Sequence, residues 1–163
     1  MFKKIQIEKF LKLSFLLLAI TSFLLLLFGF LFSAGMHSYV LDFYYIKYFF
    51  STFSTLLVVI LYSLLAYNGL KNKKNFGLIF GFSTVVPLLS FHTWEIIRYF
   101  HIFIYLWDSA SNIISLLLII LLSVILWGLI KISNFKNYKF SDYIFFIVLS
   151  ITLFCLLIYS PHF

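Results

Sequence analysis

From position 92 to position 101 the chain sets an ionisable side chain at every third residue: His92, Glu95, Arg98 and His101. On an α-helix each step of three falls about 60° short of a full turn, so neighbours in the series touch while the two histidines end up nearly opposite. A 3₁₀ segment would align all four, but such runs are short. Together the groups offer a carboxylate, a guanidinium and two imidazoles, enough to hold an anion, ligate a metal or pass a proton. Glu95 with Arg98 reads first as an interfacial salt bridge, because an unpaired charge at a bilayer margin is costly. Arg98 is the single arginine beside eleven lysines, and its planar donor fork suits carboxylate or phosphate recognition.

Other chemistries need partners from elsewhere in the chain. A b-type haem or a quinone site would use His37, His92 or His101, with Arg98 near a propionate or a quinone oxygen. The flanking Phe91, Thr93, Phe100 and Ile102 are mostly bulky and leave little room for a macrocycle, so no cofactor is expected and haem b stands as the alternative. A zinc site from His92, Glu95 and either His37 or His101 lacks any HExxH-like spacing, so no metal is expected. Ser33 and Ser90 have no nucleophile elbow around them. Asp42 could meet Glu95 or Asp108 as a carboxylate pair, but Asp42 reads more simply as a solvated loop residue and Asp108 as a helix cap.

The elements that must position these groups are hydrophobic almost throughout. Hydrophobic residues make up 64% of the 163 residues and charged ones 10%, whereas soluble domains carry about 25% charged residues. The expected fold is a single all-α integral membrane domain over residues 1–163, a bundle of five transmembrane helices at 13–32, 49–67, 76–97, 113–130 and 143–159. Each apolar run of about 20 residues matches a hydrocarbon core about 30 Å thick. The first run is longer than a signal-peptide core and no clean A-x-A site follows it, which favours a retained helix. Gly77 and Gly81 form a small-xxx-small face for close helix packing, and Pro87 should kink the third helix. Ser141 and Asp142 precede the fifth run as capping residues. Cys155 is the only cysteine and can form no intrachain disulfide. The wealth of Phe, Tyr and Lys resembles the codon bias of an AT-rich genome, so aromatic abundance alone does not mark a binding surface.

Ten of the twelve basic residues fall in three segments: Lys3, Lys4, Lys9 and Lys12; Lys71, Lys73 and Lys74; and Lys131, Lys136 and Lys139. The positive-inside rule then sets the N-terminus in the cytoplasm and the C-terminus outside. The net charge of +7 is explained as topogenic anchoring, and nucleic-acid binding is excluded. Phe2, Ile5, Phe10 and Leu11 alternate with lysines and are expected to lie along the inner interface. His37, His92, His101 and His162, with Asp42, Glu95 and Asp108, fall on the outer side. Residues 99–107 are too few to cross again and too apolar for a solvated loop, so an interfacial aromatic helix or arm is expected between helices 3 and 4.

Four of the five helix cores lack charge, which disfavours a stand-alone pump or transporter. The expected function is that of a small non-enzymatic subunit or accessory protein in a larger membrane complex, with the lipid bilayer and other membrane subunits as partners. The alternatives are a haem- or quinone-handling respiratory subunit and an enzyme acting on lipid or lipoprotein at the outer leaflet. The bacterial inner membrane is the expected location and the mitochondrial inner membrane the alternative.

Overall fold

The computed structural model describes residues 2–36, 43–98, 110–133 and 138–159. These form five helices and no strands: α1 (Phe2–Met36), α2 (Phe43–Lys71), α3 (Asn75–Arg98), α4 (Ala110–Ile132) and α5 (Phe140–Tyr159). All five are long and apolar enough to cross a membrane.

α1 takes in the basic stretch expected along the inner interface. It is one helix of 35 residues, and its basic start is continuous with its apolar run. The reason lies in the spacing: Ile7, Leu11, Phe15 and Ala19 recur every fourth residue, so they form one stripe that faces the bundle, with Lys4 near the line of Leu11 at its start and Lys9 turned away. Leu11 and Phe15 are completely buried.

Four helices close a ring. α1 packs against α2, α2 against α3, α3 against α4, and α4 back against α1. Inside the ring Leu11 and Phe15 meet Ala66 and Leu70 of α2, Val85 of α3, and Leu122, Ile125 and Leu129 of α4. α5 stands outside the ring, packed against α2 and α3, where Leu153 and Leu157 join Val59, Tyr62 and Phe91 in a second cluster. The outward faces are apolar as well; Leu17, Phe28, Leu117, Ile120, Ile144 and Ile151 are all exposed. Against lipid such faces cost nothing to leave uncovered, so close packing rather than water exclusion must hold the helices together.

That packing is tightest between α2 and α3. A Cβ at Gly69 would fall on the Gly77 backbone, and a Cβ at Gly77 would fall on the backbone of Gly69 and Leu70. Four residues further on, a Cβ at Gly81 would come within 3.0 Å of Phe15 Cζ and 3.1 Å of Leu129 Cδ2. The Gly77 and Gly81 positions therefore serve contacts inside the chain, one to α2 and the other to α1 and α4.

The turn joining α2 to α3 explains how the glycines meet. Lys73 N–H donates to the Leu70 carbonyl at 3.4 Å and Lys74 N–H to the Gly69 carbonyl at 2.8 Å, the bond pair of a Schellman cap. Lys73 holds the left-handed position of that cap, with φ 54°. α3 runs unbroken through Pro87, whose missing N–H leaves the Ser83 carbonyl without its helical donor. α5 begins three residues before its expected start. Lys139 N–H donates to Asp142 Oδ2 at 3.0 Å, so Asp142 caps the helix from within its first turn rather than from ahead of it.

Candidate functional site

The last two turns of α3 carry the polar residues that the sequence singles out. Thr93 bonds back to the Leu89 carbonyl at 2.7 Å, and the Phe91 ring turns inward into the α2–α5 cluster. That leaves His92 and Glu95 on a half-buried flank, with side chains 17% and 19% exposed. His92 Nδ1 lies 3.4 Å from Glu95 Oε2, an i, i+3 ion-pair contact, and no well-formed hydrogen bond reaches that nitrogen. The His92 ring also meets Phe91 edge-on, with centroids 5.7 Å apart. Arg98 is the last residue of α3 and is exposed, as are Trp94 and Ile97 beside it.

His92 and Glu95 are thus brought together, and an imidazole beside a carboxylate can exchange or hold a proton. Among the described residues, no three His, Cys, Asp or Glu side chains converge as a metal group would require. His37, Asp42, His101 and Asp108 lie outside the described residues, as does the segment 99–107. Ser90 is exposed on α3, and Cys155 is exposed on α5.

The bundle interior offers hydroxyls. Ser22, Thr55, Ser63, Ser83 and Thr84 are the buried polar side chains of the described residues. Thr84 Oγ1 donates to the Phe80 carbonyl of its own helix at 2.8 Å. Thr55 Oγ1 donates to the Ser51 carbonyl at 2.9 Å and also reaches the Leu156 carbonyl of α5 at 3.3 Å. Ser83 Oγ reaches the Phe146 carbonyl of α5 at 3.5 Å. Hydroxyls placed this way join helices and carry no charge. Their cross-helix role had no distinct signal in the sequence, where Ser and Thr occur on every face of the runs.

Comparison with protein-family models, with curated proteins and with solved structures finds no match to this chain.

Proposed function

We propose that this chain is a small multi-pass subunit or accessory protein of a larger complex in a bacterial inner membrane, with its N-terminus cytoplasmic and no catalysis of its own. The supporting observation is the chemistry of the interior. Among the described residues the buried polar groups are the hydroxyls of Ser and Thr and the phenol of Tyr62, and none is a carboxylate, an amine, a guanidinium or an imidazole. A proton or ion carrier needs titratable groups near the middle of its helices, and an embedded enzyme needs a nucleophile beside a base. The Gly69–Gly77 approach closes the α2–α3 seam backbone to backbone and leaves no room there for a substrate.

What remains for function is the outer end of α3. His92 and Glu95 form a polar flank, and Trp94 and Ile97, 57% and 62% exposed, stand beside it. Large apolar groups next to a polar pair suit a protein contact at the membrane margin better than lipid tails alone.

A photo-crosslinking residue introduced at Trp94 or Ile97, with irradiation in cells, tests the reading. One protein adduct of discrete mass is expected from these positions, and none from Leu117 on the outer face of α4. If the chain instead purifies alone with a Soret band or with turnover of a lipid substrate, the reading fails in favour of the haem or enzyme alternative.

A further inference from the structure

Opposite the polar end of α3, a cavity of about 190 Å³ opens between the start of α1, the α2–α3 turn, the end of α4 and the residues before α5. One wall is apolar, from Leu70, Leu78 and Ile132, and the other is polar, from Lys4, Glu8, Lys73, Lys74, Asn75 and Tyr138. Three lysines from two separate elements therefore converge on one space with a single glutamate. Among the described residues, no carboxylate lies within ion-pair distance of Lys4, Lys73 or Lys74. All three are exposed, Lys74 Nζ also stands 6.0 Å from the Phe76 ring centroid, and the one carboxylate of Glu8 leaves the opening with a net positive charge that suits an anion.

The backbone at Lys73 points the same way. The left-handed position of a Schellman cap is ordinarily glycine, because a Cβ there is strained. Here that position carries a cation that lines the cavity, at a conformational cost that glycine would remove. Asn75 opens α3 at the same rim, and the first turn of a helix presents N–H groups that favour an anion. Tyr138 lines the same space, and burial, reinforced by Asp142 and Tyr143, pushes its hydroxyl up to about 12.

We propose that this cavity binds a phosphate group, and that in the membrane the phosphate belongs to an anionic phospholipid headgroup. Lys4, Lys73 and Lys74 neutralise the phosphate, and Asn75 and Tyr138 donate to its oxygens. Glu8 accepts from a headgroup hydroxyl, and the apolar wall takes the glycerol and the first methylenes. The mixed lining favours a lipid over a soluble phosphate, which would leave Leu70, Leu78 and Ile132 against water. Basic pockets between helix ends on the cytoplasmic side are suited to such headgroups.

Native mass spectrometry of the full chain, released from neutral detergent after exposure to equimolar phosphatidylglycerol and phosphatidylcholine, tests this. Phosphatidylglycerol should be retained at least tenfold over phosphatidylcholine. The variants K73G and K4Q should each lower that preference several-fold, while K131Q, which removes an exposed lysine outside the cavity, should leave it unchanged. K73G relieves the left-handed lysine, so it should melt no lower than the parent, and a lost preference there cannot be put down to unfolding. A second arm adds millimolar inorganic phosphate without lipid. Stabilisation by phosphate in the parent but not in K73G, with no lipid preference, keeps the phosphate site and removes the lipid assignment. Equal retention of both lipids with no phosphate effect, or a preference unchanged in the K4Q/K73G double variant, overturns the proposal.

Discussion

A lysine held at φ 54° gives up about 1–2 kcal/mol that a glycine would not, and Lys73 does so in the turn between α2 and α3. Replacing it with glycine is expected to raise stability by about 0.5–1 kcal/mol, after the greater unfolded-state freedom of glycine is set against the relieved strain. Thermal unfolding in detergent would show this as a higher midpoint. Tyr138 gives a second test at this scale. Its hydroxyl is pushed from the usual 10.0 to about 12, first by burial and then by Asp142 and Tyr143. Below the usual value both folded and unfolded chains carry the neutral phenol and nothing changes. Between the two values the unfolded chain ionises and the folded chain does not, so stability is lost as pH rises through that window. Subtracting the phenolate absorbance of Y138F from that of the parent should reveal one tyrosine titrating late, and a difference curve centred at the ordinary value would refute the assignment. The sequence put Glu95 first with Arg98, while the contact between His92 and Glu95 follows from the same spacing of three on one helix. The lysine-lined cavity was not, because Lys4, Lys73, Ile132 and Tyr138 come from four distant segments that only packing brings together.

Among the elements, α2 and α3 depend most on what is missing from their side chains. Gly69→Ala sets a methyl group against the Gly77 backbone, which cannot retreat without separating the helices. A loss of about 3 kcal/mol or more is expected, seen as poor recovery of folded protein after extraction. Gly81→Ala meets only the tips of Phe15 and Leu129, which can turn aside, so about 1 kcal/mol or less is expected. Equal damage from the two substitutions would sink the distinction. All five helices were legible in the sequence, since long uncharged runs separated by lysines leave few other readings. The partner of Gly77 was hidden, because Gly69 lies eight residues earlier across a turn and matches no small-xxx-small spacing. The helical continuity of residues 2–11 with the apolar run was hidden for a related reason. Interleaved lysines suggested an interfacial strip, yet the apolar positions that matter recur every fourth residue and continue the stripe that ends inside the ring.

At the scale of the whole molecule, the basic starts and ends of the helices gather at one end of the bundle, and the polar turn of α3 lies at the other. Reporter fusions should therefore read inside near Lys73 and outside after His162. An inside signal at both would mean an even number of crossings, with either α4 or α5 failing to span. The arrangement of α5 bears on how the chain is made. Every buried residue of the ring core precedes position 130, so the four-helix ring can close before Phe140–Tyr159 has been synthesised. Until then the hydroxyls of Thr55 and Ser83 line a groove open to lipid, without the Leu156 and Phe146 carbonyls that later receive them. The ring core thus needs nothing from the last helix, and a nascent chain stalled before it should present that groove to whatever insertion factor stands alongside.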